Sequence, residues 1–78
     1  MVIIFSCHSL LKLKQRDISL QLVKKTLKSS DYQFPSYFDR KIVYKKFNKL
    51  YLRVIYKEEG KDILVITQHW TKGIKEKS

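Results

Sequence analysis

From residue 41 to residue 70 the chain is three runs rich in Ile, Val, Tyr and Thr: Lys41 to Phe47, Leu50 to Lys57 and Asp62 to Trp70. Only Asn48-Lys49 and Glu58-Glu59-Gly60-Lys61 separate them. Turns this short join antiparallel neighbours and nothing else, so this half of the chain is predicted to be a β-meander. A sheet must bury one face, and only the first half of the chain can cover it. There, Val2-Ile3-Ile4-Phe5 is far shorter than a secretory apolar region or a membrane span and is expected to be a first strand. Ser6 is positioned to cap a helix from Cys7 to about Arg16, with Cys7, Leu10, Leu11 and Leu13 as its apolar side. Ser19 is a second N-cap, with Ile18 before it able to staple onto Val23. Leu20, Val23 and Leu27 follow at helical spacing, Lys24, Lys25 and Lys28 face water, and Ser29-Ser30-Asp31 ends the helix. The predicted fold class is therefore α+β, two N-terminal helices packed on a mainly antiparallel sheet. The segment Tyr32 to Asp39, with the chain's one proline at Pro35 and aromatic residues around it, reads equally as an edge strand or as a loop over one end of the sheet.

A chain of 78 residues holds one domain, spanning 1–78, with 71–78 expected as a polar basic tail. At 44% apolar residues it is too hydrophobic to be disordered despite its charge. Cys7 has no disulfide partner and no Cys/His quartet exists for a structural zinc, so packing alone must hold the core. That usage suits a reducing cytoplasm, and no membrane contact is expected.

The charge is lopsided: 17 Lys and Arg against 7 Asp and Glu, a formal net charge of +10. Heat-adapted surfaces balance Lys with Glu, and this one does not. The excess is also local, because Arg40, Lys41, Lys45, Lys46, Lys49, Arg53 and Lys57 fall in a stretch without one Asp or Glu. Tyr44, Phe47, Tyr51 and Tyr56 are interleaved with them. Cations displace counterions from phosphates, and aromatic rings offer faces to unpaired bases, so the segment points to RNA or DNA. The competing account is a half-buried sheet with a Lys-protected edge, or an acidic protein partner. Along Leu50 to Lys57, Leu50, Leu52, Val54 and Tyr56 point one way and Tyr51, Arg53, Ile55 and Lys57 the other. Arg53 is thus predicted on the uncovered face. For Asp62 to Trp70 both faces look apolar, and one residue of register decides whether His69 joins it.

Two glycines, Gly60 and Gly73, neither between a strand and a helix, exclude a phosphate-cradling loop. Carboxylates are too scattered for a two-metal nuclease, so neither a metal nor another cofactor is expected. What remains is His8, His69, tyrosines and cations. That inventory suits metal-independent RNA cleavage, in which the 2′-hydroxyl attacks the adjacent phosphate with help from a proton acceptor, a proton donor and positive charge. His8, Lys12 and Arg16 recur at four-residue steps on one helix face, where a neutral imidazole can accept a proton. The alternative for His8 is a hydrogen bond to the sheet or a helix cap. For His69 it is a strand-end residue packed on Trp70. Cys7 is expected to be a small buried apolar residue, not a nucleophile.

Taken in order, Ser6-Cys7-His8-Ser9, Arg16-Asp17-Ile18-Ser19 with Val23 and Leu27, Asp31, Arg40 with Val43-Tyr44-Lys45, Leu52-Arg53-Val54-Ile55 and Val65-Ile66-Thr67 resemble a small prokaryotic family of unknown function. Its pattern runs His-(Ala), Arg-Gly-Ile-Ser, a helix ending near Asn-Pro-Asp, and a basic meander closing on Val-Ile-Thr. Asp17 stands where the pattern has Gly, and Ser9 where it has Ala. That family is similar in layout to the BrnT and RelE toxins, whose two-layer sandwich is shared with barnase-type ribonucleases. The resemblance implies a toxin-like, metal-independent endoribonuclease. It would act on RNA, including ribosome-associated mRNA, and would be a monomer or bound to a small antitoxin protein. By position, the resemblance implies His8, Arg16, Lys45 and Arg53 as the catalytic set, with Arg53 and Lys45 holding the scissile phosphate and His8 as acid or base. Arg40, Lys41, Tyr44, Lys46, Lys49, Tyr51 and His69 are the expected RNA-binding residues around it.

Overall fold

A computed structural model describes residues 2–74. The order of elements is β1 (Ile3–Phe5), α1 (Cys7–Gln15), α2 (Leu20–Lys28), β2 (Tyr32–Pro35), β3 (Arg40–Phe47), β4 (Leu50–Glu59) and β5 (Asp62–Thr71). The strands form one open sheet in the order β1-β5-β4-β3-β2, antiparallel except for the parallel pairing of β1 with β5. Of the tail expected over 71–78, Thr71 closes β5, and residues 75–78 lie outside the described residues.

Both helices begin at the expected caps. The Ser6 hydroxyl accepts from the Ser9 backbone N–H, and the Ser19 hydroxyl from that of Leu22. Between the helices Asp17 takes φ 52°, a left-handed turn that glycine adopts freely and Asp tolerates better than most residues. The segment left open between strand and loop divides: Tyr32–Pro35 is an edge strand, with its proline at the strand end, and residues 36–39 make the turn into β3.

The core lies between the helices and one sheet face. Leu13, Ile18 and Val23 pack there against Val43, Leu52, Val54, Tyr56 and Val65, with Phe5, Phe47 and Trp70 at the rim. Burial of each Val or Leu in such a layer contributes about 1.5–3 kcal/mol. Two expected helix faces need correction. On α1 the buried residues are Ser9 and Leu13, while Cys7, Leu10 and Leu11 are exposed. On α2 they are Val23 and Thr26, while Leu20 is exposed. Small Ser9 and Thr26 let the helix backbones approach the sheet closely, and that rotates the leucines outward.

Ser9 is not buried without partners. Gln68 of β5, also fully buried, accepts from the Ser9 hydroxyl and donates through Nε2 to the Ser9 carbonyl at 2.9 Å. The Arg16 guanidinium donates to the Gln68 carbonyl at 2.7 Å. These bonds pin α1 to β5 at a fixed position, because a buried amide left unpaired costs about 1–3 kcal/mol.

Candidate nucleic-acid interface

Register decides which side chains share the uncovered face. Near the β4–β5 turn, Glu59 faces Asp62 and Lys57 faces Leu64; beyond a break in register between Ile55 and Tyr56, Ile55 faces Thr67 and Arg53 faces His69. Ile66 is the extra residue, a β-bulge. Its carbonyl accepts from the Ser6 hydroxyl at 3.1 Å, and the neighbouring Val65 carbonyl accepts from the Ser6 backbone N–H, so the α1 cap holds the bulge. Were Ile66 paired with Ile55 in a continuous register, Gln68 would stand opposite Arg53 and His69 would turn toward the helices. The bulge puts the amide in the core and the imidazole on the open face.

That face carries Tyr32 and Phe34 from β2, then Arg40, Ile42, Tyr44 and Lys46 from β3. From β4 come Tyr51, Arg53, Ile55 and Lys57, and from β5 Thr67, His69 and Thr71. Tyr44 has 0% exposure although no helix covers it. Phe34 lies edge-on at 5.9 Å between ring centroids, Tyr51 edge-on at 6.3 Å, and the Arg53 guanidinium sits 6.0 Å from its centroid. Arg53 Nε also donates to the Tyr44 hydroxyl at 3.0 Å. The guanidinium is thereby oriented before any ligand arrives, with less side-chain entropy left to lose on binding. Lys46 lies 6.0 Å from the Tyr51 ring, and Tyr51 is edge-on to Tyr32. The middle of the face thus presents oriented cations among aromatic rings, and its acidic residues, Glu59 and Asp62, lie at the far end of the β4–β5 hairpin.

The structure separates the residues implied as a catalytic set. His8 is exposed on α1, in the helical layer, and the sheet stands between that layer and Arg53. Arg16 forms the carboxyl-terminal cap of α1 and bonds to β5. Lys45 faces the helix side, where its ammonium donates to the Ser29 carbonyl at 2.9 Å at the end of α2, a position that favours a cation. Of the expected binding residues, Arg40, Tyr44, Lys46, Tyr51 and His69 do share the open face with Arg53. Lys41 points to the helix side and pairs with Glu58, whose hydrogen bond and charge raise the Lys41 pKa. Lys49 occupies the β3–β4 turn. Tyr32 and Phe34 were not among the expected site residues. Their signal was present as aromatics two residues apart in a strand, but it counted only once the segment was known to be a strand.

The chain matches no family model, no curated protein and no solved structure. Among the described residues no cluster of His, Cys, Asp and Glu could hold a metal ion, and no helix is long and apolar enough to cross a membrane.

Proposed function

We propose that the open sheet face is a nucleic-acid interface and that the chain binds RNA there. The observation that carries this reading is Arg53, held over Tyr44 beside Tyr51 and opposite His69 on a face whose centre has no acidic residue. Phosphates would be drawn to Arg53, Lys46 and Arg40, while ring faces at the rim would meet bases. Binding should fall steeply with salt, with Arg53→Ala and Lys46→Ala each lowering the slope of log affinity against log salt by about 0.7 to 0.9. Lys24→Ala and Lys25→Ala, exposed on α2 on the other side of the molecule, are the controls. Equal losses from both pairs would reduce the interface to nonspecific charge, and no RNA binding at low salt would end the proposal.

A second reading is favoured by one observation, the cross-strand placement of His69 beside Arg53. It is the toxin-like endoribonuclease of RelE/BrnT layout, with mRNA as substrate, a small antitoxin as partner and the cytoplasm as its compartment. The left-handed turn at Asp17, where the resembling pattern has Gly, supports it. In this reading the imidazole that works with Arg53 is His69, since His8 stands beyond the sheet. RNA cleavage in the presence of a chelator, lost in His69→Ala and kept in His8→Ala, is the expected result. Intact RNA with the parent protein, or expression without toxicity, would leave the binding module alone.

A further inference from the structure

The turn from β2 to β3 exposes two aromatic rings that the fold does not use. Tyr37 and Phe38 are each 84% exposed, and neither packs on the core. Phe38 and Asp39 both take left-handed backbone conformations, φ 58° and 60°. Asp, like Asn, tolerates that region; an aromatic residue there is disfavoured, so the ring weakens the turn without contributing burial. The turn itself is well held, with the Ser36 N–H on the Arg40 carbonyl at 2.9 Å and the Arg40 N–H on the Tyr37 carbonyl at 3.2 Å. Beside it Pro35, Ser36, Tyr37, Ile42 and Arg53 line a shallow cavity of about 470 Å³. That volume lies within the roughly 300–1,000 Å³ range of small-molecule pockets. Arg53, the cation at the centre of the open face, is therefore also a wall of the cavity under Tyr37.

We infer that the β2–β3 turn is a stacking clamp for an unpaired base of single-stranded RNA. The base lies against the Tyr37 and Phe38 rings, and its phosphate meets Arg53. This rests on the reading of the open face as an RNA interface and assigns its preferred substrate, single-stranded in place of duplex. A paired base hides its faces in the helical stack, whereas an unpaired base offers one to an exposed ring. Charge selects the occupant. The charged group lining the cavity is a guanidinium, Arg40 follows the turn on the open face, and the whole chain carries +10.

The test compares three probes on the full chain: octauridylate, a 12-base-pair RNA duplex and linear polyphosphate. Phe38→Asn suits the left-handed backbone and removes the ring; Tyr37→Ala removes the other. Each is expected to weaken octauridylate binding about tenfold, within the range measured for base–aromatic stacking, and to change duplex and polyphosphate binding less than twofold. Phe38→Trp should keep octauridylate affinity. The thermal midpoint of Phe38→Asn should equal or exceed the parent's, which a ring with a structural role would not allow. Unchanged octauridylate binding in Phe38→Asn, or equal losses on all three probes, overturns the clamp while leaving the interface standing. Loss of all three probes in Arg53→Ala alone is the signature of the interface itself. A parent that binds none of the probes removes both. Binding to phosphatidylglycerol vesicles that the tip variants abolish, with octauridylate binding intact, would make the tip a membrane contact and overturn the clamp.

Discussion

The two faces of the sheet are built from the same strands and solve opposite problems. The helix-covered face buries Val43, Leu52, Val54 and Val65, and the polar side chains it takes in are satisfied, Ser9 and Gln68 by each other and Thr26 by donating to the Leu22 carbonyl. The open face also buries a large residue, Tyr44, but roofs it with Phe34, Tyr51 and the Arg53 guanidinium. Because strand side chains alternate, residues adjacent in sequence serve the two purposes separately. Leu52 and Val54 hold the molecule together, and Arg53 between them faces outward with an orientation set by its neighbours.

The register of β5 beyond the bulge at Ile66 should be the point where this division is easiest to break. Inserting one residue between Thr67 and Gln68, with the bulge kept, puts Gln68 opposite Arg53 and His69 opposite Leu52, turning Gln68 out and His69 inward. Loss of the cooperative urea transition is expected, and a variant that unfolds like the parent would show that this register does not set the two faces. Next in size is the pair Leu52 and Arg53. Leu52→Ala should cost about 2–5 kcal/mol of stability and leave the RNA affinity of the folded protein unchanged. Arg53→Ala should cost only about 1 kcal/mol, from the lost hydrogen bond to Tyr44, while weakening RNA binding. Urea melts and salt-resolved binding isotherms measure both, and parallel effects would merge the two faces into one.

Smaller again is Ser9→Ala. It leaves the buried side-chain oxygen of Gln68, Oε1, without its donor and should cost about 1–3 kcal/mol, readable as a lower urea midpoint at unchanged slope. The smallest effect concerns Tyr56, on the covered face, whose pKa is raised mainly by burial. The unfolded chain releases that proton first, so the contribution is whole below the ordinary tyrosine value of about 10 and is lost as pH rises through the higher folded value. Tyr56→Phe should flatten the alkaline decline in stability above about pH 10, and an unchanged decline would assign it elsewhere.

Elements marked by local signals were legible from residues alone. Ser6 and Ser19 before apolar helical spacing, and the β-rich runs with short turns, led to the correct helices and the correct meander, and the alternation in Leu50 to Lys57 correctly turned Arg53 outward. The helix faces were less legible, because hydrophobicity pointed to Leu10, Leu11 and Leu20 where close approach to the sheet favoured Ser9 and Thr26. The implied site suffered for a related reason. His8 and Arg53 look alike as candidate functional residues, and nothing local says that a sheet separates them.

Sequence by itself determined the two helices, the first strand and the meander, the acid-free cationic stretch and the outward direction of Arg53, since caps, turns and period-two alternation act over a few residues. Tertiary structure alone decided that Gln68 is buried and His69 stands beside Arg53. It also decided that Lys45 faces the end of α2 and that Tyr37 shares a cavity with Arg53 at the rim of the open face. Each of these depends on a pairing made across many residues of chain. The register of β5 is held from 60 residues away by the Ser6 hydroxyl on the Ile66 carbonyl, a contact that no local pattern encodes.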